Sequence, residues 1–466
     1  MLKVLGAILL LGCTSIAAEP PKPTGLWLGT LSVGPVKLRL ALDITDGEGK
    51  LSAKLISIDQ GRVTIPLNSA EFADGKLTVK LKTPEIEYAG TLSDNGLSLK
   101  GTFKQSGLEL PLNLDKIETL PTDKRPQTPK APFDYTSEDL KFENAAAKIK
   151  LAGTLTLPKG HGPFPVVVTI SGSGPQDRDE TLFGHKPFLV LADHLAKHGI
   201  ACLRYDDRGV AKSGGSFANA TSADFATDTY AAVQYLQTRK EIDGKKIFLA
   251  GHSEGGLIAP MVAAEHPADI AGLVLLAGPG VSGSTIFYEQ NKDQVALIHP
   301  KTAEKEAREF VEAVLPIMTG KANSKEAAEQ IAAAIKKSVD RDTTMDEPAR
   351  KIAAAAIPVM STQLSEPWLR WFVAHDPATV LAKVTCPILA INGEKDVQVR
   401  AKQNLDAIAA ALKRAKHTAH TLVTLKNLNH LFQPCTTGDI SEYGQIEETM
   451  SAELLELVTN WVKKQS

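Results

Sequence analysis

The chain has 466 residues, a formal net charge of −2 and 43% hydrophobic residues. That length exceeds one typical core and predicts two domains, and the hydrophobic content excludes a disordered chain. The near-neutral charge offers no basic field for nucleic acid or an anionic membrane, and four cysteines without a Cys-x-x-Cys pair or a His-Glu-x-x-His motif speak against a zinc site.

The chain opens with "MLKVLGAILLLGCTSIAAEPPKP", in which Lys3 precedes an apolar run from Val4 to Leu11 and the small residues of "SIAA" follow. This reads as a signal peptide over residues 1–18, so an exported protein, periplasmic or secreted, is expected. The alternative is a lipoprotein anchored at Cys13, because "LLGC" resembles a lipoprotein box, with Leu11 where such boxes usually carry a smaller residue. The apolar run is too short to cross a bilayer, and no other segment is apolar for long enough, so no transmembrane span is expected. Cys202 and Cys386 sit in or beside buried-strand patterns and are expected to be inert core thiols.

Residues 24–116 predict an all-β domain, a small antiparallel barrel or sandwich. In "VKLRLALDI", Val36, Leu38, Leu40, Leu42 and Ile44 alternate with Lys37, Arg39 and Asp43, and "DGEG", "ADGK" and "SDNG" supply hairpin turns. No constellation of acids, histidines or cysteines lies here. The domain is expected to serve packing or solubility, with a binding role as the alternative. Residues 117–134, "ETLPTDKRPQTPKAPFDY" and its surroundings, are proline-rich without periodicity and read as an extended linker.

From 135 to 466 continuous apolar runs such as "FPVVVTI", "KIFLAG", "LVLLAG" and "PILAING" are interleaved with helical patterns. Strands apolar on both faces, alternating with helices, predict an α/β, mostly parallel doubly wound sheet, which binds ligands at the carboxyl ends of its strands. About a hundred residues of Ala-, Lys- and Glu-rich sequence interrupt this rhythm, more than a crossover needs. They predict a helical cap at about 280–380.

The chemistry gathers at those strand ends. "GHSEG", residues 251–255, lies between a strand and a helix and fits the nucleophile elbow Gly-x-Ser-x-Gly, so Ser253 is the expected nucleophile. The sharp turn strains the serine backbone and leaves no room for side chains at the glycines. A hydroxyl needs a base, and the elbow's chain order is Ser, acid, His. His430 in "NLNHLFQ" follows the last strand pattern and suits the base, whereas His417 and His420 precede that strand and read as solvated turn residues. His252 is expected to pack, and His185 is a weaker site candidate, with an exposed polar residue as the alternative. Asp396 in "NGEKDV" suits the acid, with Glu394 as its competitor. The backbone N–H groups of Glu254 and of Ser173, in the Gly-rich "SGSGPQDRDE", are the expected oxyanion donors. Asp177, Arg178 and Asp179 are expected to brace that loop.

"ISGSGPQDRDE", "LRYDDRGVAKSGG", "GHSEGGLIAP", "WLRWFVAHDPATVL", "CPILAINGEKDVQV" and "NLNHLFQ" together resemble bacterial α/β-hydrolases of the acyl-ester hydrolase and serine aminopeptidase-like type, over about residues 135–466. The resemblance implies an α/β-hydrolase fold with Ser253 as nucleophile, Asp396 as acid and His430 as base. It also implies that Asp207 and Arg208 are a structural pair near the site, not a catalytic one, and that the chain acts on esters of small acyl groups. Ala211 departs from the pattern, where relatives usually carry glycine. The expected function is therefore an exported serine esterase acting on a small-molecule ester through an acyl-enzyme, without cofactor or metal. Alternatives are a serine peptidase of the aminopeptidase-like kind, or a binding protein whose β-domain carries the function. The sequence does not set the oligomeric state.

Overall fold

The computed structural model describes residues 21–33, 36–59, 62–83, 85–105, 108–121, 124–296, 299–342, 345 and 347–466. The expected leader at 1–18 and Cys13 lie outside the described residues. The chain divides into two compact units, the first ending at Leu120 and the second holding Pro121–Ser466 together with short segments at 34–37 and 59–62.

The first unit is one sheet of strands β1 (Gly25–Val33), β2 (Val36–Gly47), β3 (Lys50–Ser57), β4 (Val63–Pro66), β5 (Ser69–Ala73), β6 (Lys76–Leu81), β7 (Ile86–Leu92), β8 (Ser98–Gln105) and β9 (Leu108–Ile117). Their order is β4-β3-β2-β1-β9-β8-β7-β6-β5. The two edge strands, β4 and β5, are separated in the chain only by Leu67 and Asn68, whose N–H groups donate to Ala53 and Lys80 on either side. The sheet therefore curls until its edges meet, as the barrel expectation required. Alternation puts Leu40, Leu42 and Ile44 inside, with Trp27, Leu77 and Tyr88.

The second unit carries β10 (Thr136–Asn144), β11 (Ile149–Leu157), β12 (Phe164–Ile170), β13 (Ala201–Tyr205), β14 (Ile242–His252), β15 (Gly272–Leu276), β16 (Ile388–Gly393) and β17 (His420–Leu425) in the order β10-β11-β13-β12-β14-β15-β16-β17. β10, β11 and β13 pair antiparallel, and the sheet is parallel from β13 through β17. This is the α/β-hydrolase fold. The continuous apolar runs are explained by two layers. Val166, Val168, Leu249 and Leu273 enter one core, while Val167, Phe248 and Val274 enter the other. Around the sheet pack α1 (Pro187–Lys197), α2 (Ser222–Gln237) and α3 (Gly255–Glu265). Between β15 and β16 lies the helical insertion α4 (Gly283–Ala296), α5 (Ala303–Met318), α6 (Ser324–Arg341), α7 (Glu347–Leu364), α8 (Pro367–Ala374) and α9 (Pro377–Leu381), followed later by α10 (Ala401–Arg414), α11 (Ile440–Tyr443) and α12 (Ala452–Gln465). Arg370 of α8 donates to the carbonyls of Met318, Gly320 and Ala322, satisfying the exposed end of α5 and tying the insertion together.

Part of the proline-rich segment is fastened to this second unit. Arg125 donates to the carbonyls of Phe183, Gly444 and Ile446, and Gln127 bonds the backbone at Thr449 and Met450. Cys202 and Cys386 are free and buried, and burial pushes both thiols up, Cys386 to about 11. No helix of the described residues is long and apolar enough to cross a membrane.

Candidate active site

The strand order reverses direction at β12, which lies between β13 and β14, and the carboxyl ends of β12 and β14 open the crevice where such sheets bind ligands. β14 ends at His252 and α3 begins at Gly255, with Ser253 in the turn between. Its φ is 51°, a left-handed backbone that costs a serine of order 1 kcal/mol or more. The turn is held by Ser253 N–H donating to Leu276 O at 2.8 Å and by Gly256 N–H donating to Ser253 O at 2.9 Å. A side chain at Gly251 would stand against the carbonyl of Gly255, and one at Gly255 against the carbonyl of Ile170, both far inside van der Waals contact. Those approaches are why the elbow needs both glycines.

Asp396 follows β16 and is buried. Its Oδ1 accepts from the N–H groups of Gln398 and Val399, both at 2.8 Å, and its Oδ2 accepts from His430 Nδ1 at 2.7 Å. Donation from Nδ1 to a carboxylate leaves the lone pair of the neutral ring on Nε2. His430 follows β17 on a loop stitched by Asn429, whose side-chain oxygen accepts from the N–H groups of Leu431 and Gln433. His430 and Ser253 line the same cavity. Glu394, by contrast, is exposed and accepts from Asn427 N–H at 3.0 Å, bracing the histidine loop from outside. His417 bonds the carbonyl of Cys386, before the start of β16 and at the opposite edge of the sheet. His185 is not an exposed polar residue. It is fully buried and bonds Thr449, Gln433 and the carbonyl of Tyr443, partners too distant in the chain to be read locally.

Ser173 and Glu254 line the cavity beside Ser253. Among the described residues neither of their N–H groups donates to another protein group, so both are available to an incoming anion. The loop carrying Ser173 is fastened throughout. Asp207 accepts from Ser171 Oγ at 2.8 Å and Gln176 N–H at 2.9 Å, Glu180 accepts from Gly172 N–H at 2.7 Å, Arg178 grips Asp206 with two nitrogens, and Asp179 pairs with Arg204. Burial pushes the Asp207 carboxyl up to about 8, against the pull of its two donors. Arg208 does not pair with Asp207; it binds Asp228 of α2. Ala211 takes the left-handed backbone, φ 46°, a conformation that favours glycine.

The side chain of Glu254 plays a part that was not legible in the local sequence. It is buried, accepts from Ser222 Oγ at 2.6 Å and from the indole N–H of Trp368 at 2.7 Å, and burial raises its pKa. The insertion thus reaches the elbow through Trp368. Trp368, Leu369 and Phe372 line the cavity, whereas Trp371 stacks on His375. The cavity measures about 670 Å³. Phe287 and Phe310 add apolar wall, and Gln290, Gln294, Gln363 and Gln398 add amides. No cluster of three or more metal-ligating side chains occurs among the described residues.

The sequence model of the family described as serine aminopeptidase, S33, matches residues 186–433, a span that holds Ser253, Asp396 and His430. Esterase EstD of Thermotoga maritima is 30% identical over 226 residues, 48% of this chain and 48% of that protein. The chain thus spans about half the length of the curated relative it matches. Among solved structures, Est1E from Butyrivibrio proteoclasticus with ferulic acid bound is 19% identical, with 70% of this chain and 96% of that one covered at a TM-score of 0.40. The α/β hydrolase GrgF from Penicillium sp. sh18 is 17% identical, with 71% and 99% covered at a TM-score of 0.44.

Proposed function

The chain belongs to the family described as serine aminopeptidase, S33, and we propose that it is a serine hydrolase of carboxylic esters. Ser253 Oγ attacks the ester carbonyl while His430 Nε2 takes its proton, and Asp396 steadies the charged imidazole. The N–H groups of Ser173 and Glu254 hold the oxyanion. His430 then protonates the departing alcohol, and the acyl-enzyme is cleaved by water that His430 activates. The observation that carries this reading is the Asp396–His430 hydrogen bond at 2.7 Å, with His430 in one cavity with a serine on a left-handed elbow.

Esters are favoured over N-terminal amines because the cavity's carboxylates, Glu180 and Glu254, are already engaged by protein donors. Among the described residues no lysine or arginine lines the cavity, which suits an uncharged substrate. Trp368 beside the elbow supports a preference for short acyl groups. The leader-like start supports action outside the cytoplasm, as a free or lipid-anchored protein. The test is hydrolysis of a panel of esters and aminoacyl amides by the purified chain and by Ser253→Ala. Ester turnover that disappears in the variant is expected; faster turnover of amides would favour the peptidase reading.

A further inference from the structure

We propose that Glu180 and His252 form a charged positioning pair that fixes the loop of Ser173 and the loop of His430 on either side of Ser253. The proposal rests on the ester-hydrolase reading of the site. His252 immediately precedes Ser253 and is buried. Its Nε2 lies 3.0 Å from the carbonyl oxygen of His430, and its Nδ1 lies 2.8 Å from Glu180 Oε1. A carbonyl oxygen only accepts, so Nε2 carries a proton. Glu180 Oε1 also accepts from Gly172 N–H at 2.7 Å, and the oxygen of a carboxylate only accepts, so beside the Glu180 carboxylate Nδ1 carries a proton too. Two ring protons make an imidazolium.

One carboxylate oxygen thus joins the residue before Ser173 to the residue before Ser253, and the same ring reaches the backbone of His430. Both side chains act through other residues. The pair differs from His430–Asp396, whose ring keeps one nitrogen free toward the cavity. The groups that face His252 with charge or a titrating proton are Glu180, His430, whose ring centre is 4.8 Å away, and, beyond it, Asp396. Phe188 of α1, Leu276 of β15, Leu431 and Phe432 line a small apolar-walled pocket together with His252 and Glu180. Burial alone disfavours the charged ring, but the charge and hydrogen bond of Glu180 outweigh it, and the His252 pKa lies above the ordinary histidine value.

The sign follows from that direction. A raised folded pKa keeps the pair intact through the ordinary imidazole range and loses it as pH rises through the folded value. Activity therefore has a descending alkaline limb. In Glu180→Gln the carboxylate charge is gone, burial governs the ring, and the limb moves to lower pH.

The test combines nitrogen NMR of labelled histidine with kcat and KM from pH 5.5 to 9.5 for the wild type, Glu180→Gln, His252→Gln and the double variant. The expected result is a doubly protonated His252 at pH 7 that turns neutral in Glu180→Gln. The single variants lose roughly tenfold to a hundredfold in kcat, the scale of a small misplacement of reacting groups, with KM changed less than about threefold. The double variant loses no more than the worse single one, because the two act as a unit. A neutral His252 in the wild type at pH 7 overturns the proposal and needs no variant to fold. So does an active wild type whose Glu180→Gln variant keeps kcat within about threefold and the same pH profile. A wild type that neither hydrolyses esters nor reacts at Ser253 sinks the ester reading instead, and with it the positioning role.

Discussion

Replacing Asp396 by asparagine is expected to remove almost all activity, because the loop dictates which way the amide points. Oδ1 accepts two backbone N–H groups, from Gln398 and Val399, each at 2.8 Å. An amide NH₂ in that place would set donor against donor and leave both N–H groups unsatisfied, at about 1–3 kcal/mol each. The amide oxygen therefore stays on the loop and the NH₂ faces His430 Nδ1. The ring must then accept at Nδ1 and carry its proton on Nε2, where it cannot receive the proton of Ser253. The expected loss is about 10⁴ in kcat, equivalent to about 5.4 kcal/mol of barrier at 1.36 kcal/mol per decade. Stability should change little, since the loop keeps its acceptor and the variant keeps its volume. The assay is kcat/KM on nitrophenyl acetate near neutral pH, with a thermal melt alongside. A folded Asp396→Asn protein retaining more than about a tenth of the activity refutes the reasoning. So does a crippling Glu394→Gln, because Glu394 points to Asn427 and not to the imidazole.

Ser253→Ala should be folded and without ester turnover, judged by circular dichroism and the same assay. Gly251→Ala should lower the melting temperature by several degrees, through overpacking of roughly 1–3 kcal/mol against the Gly255 carbonyl, and should also lower kcat. Asp207, with a folded pKa near 8 against an ordinary value of 3.8, binds its proton more tightly when folded, so its contribution to stability falls as pH rises from about 4 to 8. Asp207→Asn should then raise the melting temperature more at pH 9 than at pH 5, and the opposite order would contradict a buried neutral carboxyl. Across acetyl to dodecanoyl nitrophenyl esters, kcat/KM should favour the short end, and Trp368→Ala should shift the preference toward longer chains; a wild-type maximum at dodecanoyl would mean an open groove.

What the sequence made legible was whatever local geometry imposes. Gly251 and Gly255 are required by backbone approaches within one turn, so the elbow was readable from five residues. The two-sided apolar runs announced a covered parallel sheet, and strand alternation announced the curled β-unit. The convergence of Ser253, Asp396 and His430 was readable because each follows a strand whose carboxyl end the topology places on one edge. Contacts set by distant chain segments were not readable. His185 gave no local sign of its burial against Tyr443 and Thr449, and nothing in "DRDE" pointed Glu180 at His252. In "EPWLRWF" only packing against the rest of the chain decides that Trp368 and Phe372 line the cavity while Trp371 stacks on His375.

The central claim, that Ser253 is a nucleophile activated by His430, is tested most directly by a fluorophosphonate. Only an activated serine reacts rapidly with it. Mass mapping of the labelled wild type should place one phosphonyl group on Ser253, and His430→Ala should react slower by orders of magnitude. No label on Ser253, or equal labelling of a folded His430→Ala protein, would contradict the account.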